Sequence, residues 1–164
     1  MQEPEFLRLI EANRPRLERI CRFYLKEIEA RKDLMQEIVF QIWRSRERYR
    51  GDAHLNTWLY RIALNTALAY VRKNKKRFHE SLAQVESIGS DANSPIEQLV
   101  RKNRKQRLIQ AIKQLKSLDQ TVVLLYLEEL SYEEIAEVTG LTTTNVGAKI
   151  SRIKKRLSTI IQRV

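Results

Sequence analysis

The chain has 164 residues, enough for one medium domain or two small ones, and its 31 Lys and Arg against 20 Asp and Glu give a net charge of +11. That balance points to a polyanionic partner, nucleic acid before an anionic membrane surface. No apolar run approaches the ~20 residues of a spanning helix, one cysteine excludes an intrachain disulfide, and His54 and His79 stand apart with no metal-ligand spacing.

The N-terminal stretch MQEPEFLRLIE is acidic and amphipathic, with neither the cationic start nor the apolar core of a secretion signal, so residence in the cytoplasm is expected. Residues 4–28 are helical in pattern. Phe6, Leu9 and Ile10 form one stripe, and Leu17, Ile20, Cys21, Tyr24, Leu25 and Ile28 another. Pro15 lies between them and is best placed in the first turn of a new helix. Cys21, beside Ile20, reads as a small buried hydrophobe. A second helix is expected over 31–48, with Leu34, Ile38 and Trp43 inward. Asp33, Gln36 and Glu37 project near its start, where acids suit the helix dipole or offer a docking face to a basic protein.

Arg50, Gly51, Asp52 and His54 mark a loop. The next helix, 57–77, has Trp58, Leu59, Ile62, Ala63, Ala67 and Val71 inward. It ends in the cluster Arg72, Lys73, Lys75, Lys76 and Arg77, with Arg61 upstream. Aromatic residues beside cations are what opened nucleic acid uses, because bases stack and phosphates pair. Trp43 and Trp58 read as core; Tyr49, Tyr60, Arg50, His54 and Asn56 are the candidates for base contact. Asn65 can pair with adenine or be a solvated residue.

From His79 to Pro95 the chain is polar and collects Gly, Ser, Asp, Asn and Pro, the signature of a flexible linker. Periodicity returns near Ile96 and runs through Leu108, Ile112, Leu115 and Leu118, and the apolar Val122–Leu127 follows. The expected architecture is all-α: a domain over 1–78, a linker over 79–97 and a second domain over 98–164. Four Gly and three Pro mean few tight turns, as an all-helical chain needs, and the lack of a phosphate loop, a nucleophile elbow or a metal-ligand cluster argues against an enzyme and against any cofactor.

Ser131–Lys155 reads as two short helices joined by a tight turn. Ser131 and Glu134 form a capping box, Gly140 permits a left-handed stop, and Thr142 or Thr143 caps the second helix. Val146, Ile150, Ile153 and Leu157 form one stripe. The opposite face, with Thr143, Thr144, Asn145, Lys149, Arg152, Lys155 and Arg156, can read base edges or grip phosphates. This is the construction of a DNA-binding helix-turn-helix. Glu128, Glu129, Glu133, Glu134 and Glu137 would repel phosphate, so their face should point away from DNA.

Together these segments resemble the bacterial RNA polymerase sigma factors of the extracytoplasmic-function type, which have two domains, region 2 and region 4, on a variable linker. DLMQEIVFQIWR (33–44) looks like the family's core-binding helix, TWLYRIALNTALAYVRK (57–73) like its minus-ten helix, and LSYEEIAEVTGLTTTNVGAKISRIKKRL (130–157) like its reader of the minus-thirty-five element.

The resemblance implies that Asp33, Leu34, Gln36, Glu37 and Phe40 dock on core polymerase. It implies that Arg61, Asn65 and Arg72, with the 50–56 loop and the Lys73, Lys76 and Arg77 cluster, capture the minus-ten region. Thr143, Thr144, Asn145, Lys149, Arg152 and Lys155 would read the minus-thirty-five groove. The implied partners are core polymerase, promoter DNA and an anti-sigma factor, with no small-molecule substrate and no membrane insertion. The chain departs from the commonest family pattern at Thr144-Asn145, Ala148-Lys149, Lys116 and Gln120. A stand-alone helix-turn-helix regulator is the alternative; it explains 131–155 but not the first domain.

Overall fold

The computed structural model describes residues 1–51, 54–75 and 95–163, with side chains from residue 100 onward in the last segment. Among them are seven helices and one short 3₁₀ turn, and no strand. The chain divides into two compact units, Met1–Glu86 and Ser87–Val164. Most of the expected 79–97 linker lies outside the described residues, as do Lys76 and Arg77.

The first unit packs α1 (Glu3–Tyr24), α2 (Ile28–Ser45) and α3 (Leu55–Lys73) against one another. Helix α1 begins where Glu5 Oε2 accepts the Gln2 backbone N–H at 3.0 Å. It then continues through Pro15, contrary to the expected start of a new helix there. The buried positions Phe6, Ile10, Asn13, Leu17, Ile20 and Cys21 keep helical spacing across the proline. Burial of that stripe outweighs the ~3 kcal/mol a mid-helix proline costs. Glu11, whose carbonyl Pro15 leaves without its helical donor, is exposed, as is Pro15 itself, so water can satisfy it.

Helix α1 stops at Tyr24, and Arg31 of α2 closes the corner by donating from Nε to the Leu25 carbonyl at 2.8 Å. The core continues through Leu34, Ile38 and Ile42 of α2 and Leu59, Tyr60, Ala63, Leu64 and Ala67 of α3. Cys21 is 2% exposed. Burial, with Glu18 nearby, pushes its thiol up to about 11. Because the folded value is raised, the thiol's contribution to stability is whole below the ordinary cysteine range and is lost as pH climbs toward 11. Iodoacetamide at pH 8 should therefore leave Cys21 unmodified in the folded chain and alkylate it rapidly in denaturant, as read by mass spectrometry. Cys21→Ala should remove part of the loss of stability between pH 9 and 11.

The second unit holds α4 (Pro95–Lys113), α5 (Ser117–Leu127), α6 (Tyr132–Thr139) and α7 (Thr143–Gln162). Helix α5 is buried at five consecutive positions, Thr121–Leu125, because α4, α6 and α7 all pack on it. Leu118, expected inward, is 42% exposed. The helical phase restarts between Lys113 and Ser117, so Leu118 does not continue the stripe that ends at Leu115. Gln120 secures that corner, donating from Nε2 to the Leu115 carbonyl at 2.8 Å and the Lys113 carbonyl at 3.2 Å.

At the far end of α5, Glu129 sits in the left-handed region at φ 63. There the Leu130 N–H reaches back to the Leu125 carbonyl. A side chain costs ~1–2 kcal/mol in this conformation, against ~0.4–1 for the extra unfolded freedom of glycine. Glu129→Gly should thus stabilise the second unit by about 0.5–1 kcal/mol in urea unfolding followed by far-UV circular dichroism.

Candidate nucleic-acid interface

The helix-turn-helix of the second unit is built by its own caps. Ser131 Oγ accepts from the Glu134 N–H at 3.2 Å, and Glu134 Oε2 accepts from the Ser131 N–H at 2.8 Å. Gly140 ends α6 at φ 76, its N–H bonded to the Ala136 carbonyl. Thr142 caps α7 by accepting from the Asn145 N–H at 3.2 Å. Val146, Ile150, Ile153 and Leu157 are buried as the spacing predicts. Gly147, mid-helix, faces the Tyr132 ring, where an added Cβ would lie 3.4 Å from the ring edge.

The outward face of α7 presents Thr143, Thr144, Asn145, Arg152, Lys155 and Arg156, all exposed. Lys149 does not share their freedom. Its Nζ lies 2.6 Å from Asp119 Oδ1 of α5, with the two side chains 22% and 17% exposed. Lys154 also turns back, donating to the Tyr126 hydroxyl at 2.9 Å with its ammonium over the ring. That hydrogen bond holds the Lys154 ammonium above the usual lysine range. Two of the five cations between Lys149 and Arg156 thus brace α7 against α5. Nothing in the sequence pairs residues 30 positions apart such as Asp119 and Lys149.

In the first unit, Asp33, Gln36 and Phe40 share the outer face of α2, and Phe40 is 54% exposed. Glu37 is half-buried and accepts from Gln41 Nε2 at 2.8 Å. Leu34, counted among the docking residues, is wholly buried in the core. It can position the docking face but cannot touch a partner. Tyr60, counted as a base contact, is only 1% exposed. Helix α3 packs on both α1 and α2, so its buried face is wide enough to take in Tyr60 as well as Leu59.

Arg50, His54, Asn56, Asn65, Arg72 and Lys73 are exposed, and Arg61 is half-buried. The tryptophans are half-buried rather than core. Trp58 pairs with Tyr49 at 5.0 Å between centroids. Trp43 meets Phe6 edge-on at 4.8 Å, and the Arg46 guanidinium sits 3.6 Å from its ring centre. A groove of about 560 Å³ between α2 and α3 brings Glu37 and Gln41 together with Asn65, Thr66, Tyr70 and Lys73. Sequence spacing had put Glu37 and Asn65 to separate uses, because helices that pack only in the fold share no local pattern. Helix α4 adds further exposed cations, Lys102, Arg104, Lys105 and Arg107, which the motif spacing of the sequence does not single out.

Among the described residues no cluster of His, Cys, Asp or Glu could hold a metal, and no helix is long and apolar enough to cross a membrane.

Two family descriptions match, sigma-70 region 2 over residues 9–77 and sigma-70 region 4 over residues 105–157. The chain is 30% identical over 132 residues to the RNA polymerase sigma factor YlaC of Bacillus subtilis, covering 79% of this chain and 76% of that one. It is 31% identical over 139 residues to the ECF RNA polymerase sigma-E factor of Haemophilus influenzae, covering 79% and 74%. Among solved structures, the fold resembles CnrH, in complex with the cytosolic domain of CnrY, with a TM-score of 0.72, 18% identity and coverage of 99% and 90%. It also resembles RpoE of Bartonella quintana, in complex with the anti-sigma factor NepR, with a TM-score of 0.69, 18% identity and coverage of 96% and 97%. With both regions present in order and relatives at 30% and 31% identity along most of their length, the chain belongs to the extracytoplasmic-function RNA polymerase sigma factors, proteins that direct promoter recognition and are not enzymes.

Proposed function

We propose that this sigma factor holds core polymerase through the outer face of α2 and grips promoter DNA at two points, one on each unit. Asp33, Gln36, Glu37 and Phe40 form the docking face. Arg61, Asn65, Arg72 and Lys73 of α3, with Arg50, His54 and Asn56 of the preceding loop, receive the minus-ten region as it opens. Lys76 and Arg77 extend that set in sequence. Thr143, Thr144, Asn145, Arg152 and Lys155 of α7 read the minus-thirty-five groove, with Lys149 as their brace. Residues 79–97 act as the tether between units.

One observation supports this most directly: the polar and cationic residues of α7 are exposed as one set while its apolar stripe is buried. A helix so divided fits a major groove without disturbing its own core. The acidic residues near α6 carry the wrong sign for that contact.

Cytoplasmic residence and control by an anti-sigma factor are part of the same reading. Of the solved structures named above, RpoE of Bartonella quintana is in complex with an anti-sigma factor, NepR. The test is transcription by sigma-free core polymerase on sheared genomic DNA of the source organism, with 5′ ends sequenced. Addition of the protein should produce start sites sharing two upstream elements at a constant spacing. Tight duplex binding without core association or new start sites would sink the reading.

A further inference from the structure

We infer that Ala148 is a specificity-determining residue whose methyl group seats against the C5-methyl of a thymine in the minus-thirty-five element. The inference deepens the reading of α7 as the helix that meets that element, and it rests on that reading. Ala148 lies midway in sequence between the buried Val146 and Ile150. At about 100° per residue it stands two steps from each, so it points directly away from the core.

The neighbouring helices mark the same centre independently. On one side of Ala148 is Gly147, faced by the Tyr132 ring of α6, whose edge would stand 3.4 Å from an added Cβ. On the other side is Lys149, held at 2.6 Å by Asp119 of α5. Gly147 and Lys149 are both half-buried, so the unit itself occupies the two flanks. The open strip between them has Ala148 at its middle. Asn145 and Ser151 lie three residues away and Thr144 and Arg152 four, and all five are exposed. Residues at those separations share one helix face.

A helix laid into a major groove along this strip brings its central side chain closest to the base edges. A short side chain there lets the helix seat deeply, with the longer polar neighbours reaching to either side. The methyl of Ala148 neither donates nor accepts a hydrogen bond. Purines offer N7 with O6 or N6 in that groove, and cytosine its N4 amine, and each would lose water against a methyl without gaining a partner. Thymine alone presents an apolar group, so methyl meets methyl and water leaves both. Helix propensity does not account for the alanine. Thr143, Thr144, Asn145, Val146 and Gly147, which lead into it, are all weak helix formers, so this turn is not composed for intrinsic helicity.

The experiment uses the full chain assembled with core polymerase and a fluorescein-labelled promoter duplex taken from the start sites of the transcription test above. Each thymine of the upstream element, on either strand, is replaced in turn by deoxyuridine, which removes only the methyl. One replacement should weaken binding by about fourfold, the worth of a single buried methyl-sized group. In Ala148→Gly that same replacement should have no further effect. The readout is a ratio between two duplexes on one variant, so any loss of helix stability cancels. Deoxyuridine tolerated at every position, or an upstream element without thymine, would overturn this inference alone, provided Arg152→Gln still weakens binding. A thymine equally sensitive in Ala148→Gly would assign the methyl contact to another residue and overturn it as well. If replacing the whole upstream element changes nothing, the reading of α7 fails with it.

Discussion

Asp33→Arg combined with Phe40→Ala is expected to weaken association with core polymerase by about a hundredfold or more, with no change in the folded state. Phe40 is a large aromatic left 54% exposed on α2, and Asp33 lies on the same face. An interface anchor of this kind is typically worth at least ~2 kcal/mol on truncation, and each ~1.4 kcal/mol is tenfold in affinity. Reversing Asp33 adds like-charge repulsion if the partner is cationic, worth up to several kcal/mol when the pair is desolvated. Neither side chain belongs to the core, so stability should move by no more than about 0.5 kcal/mol. The measurement is co-elution with core polymerase beside thermal melts of both proteins. Unchanged co-elution would move the docking face elsewhere.

Asp119→Ala is expected to destabilise the second unit by about 2 kcal/mol. The estimate lies between the ~3–5 kcal/mol of breaking a fully buried pair and the ~0–1 kcal/mol of an exposed one, since 22% and 17% of the two side chains remain in solvent. The loss arises because Lys149 keeps its charge in a place that has lost its partner. Both tryptophans, Trp43 and Trp58, belong to the first unit. Tryptophan fluorescence should therefore be unaffected in urea unfolding while the far-UV signal of the second unit shifts to lower denaturant.

The exchange Asp119→Lys with Lys149→Asp separates bracing from reading. If Lys149 only braces α7, the double variant should recover much of the stability and keep duplex affinity. If Lys149 also leaves Asp119 to meet a base, stability should return while binding stays weak by roughly 1–3 kcal/mol.

Much of the interface was readable because its signals are local. A capping box spans three residues, a left-handed stop needs one glycine, and an amphipathic stripe repeats every three or four positions. Ser131, Gly140, Thr142 and the stripe Val146–Leu157 accordingly stand where their spacing puts them. Where the reading went astray, a neighbour distant in sequence decides the outcome. Pro15 is tolerated because the stripe of α1 on both sides of it is packed by other helices. Tyr60 is buried because α3 has two partners, and Leu34 is core because α2 likewise packs on both α1 and α3.

The sequence by itself determined that this protein is helical, basic and built around a helix-turn-helix, and its three motif segments carried the family. Those properties follow from net charge, backbone capping and the 3.6-residue period, none of which needs a distant partner. Only the tertiary structure decided which cations are available to a polyanion. Lys149 looks equivalent to Arg152 and Lys155 along the chain, but α5 holds Asp119 against it and leaves the other two in solvent. A side chain's charge is written in its residue type; whether that charge is spent inside the fold depends on what packs across from it.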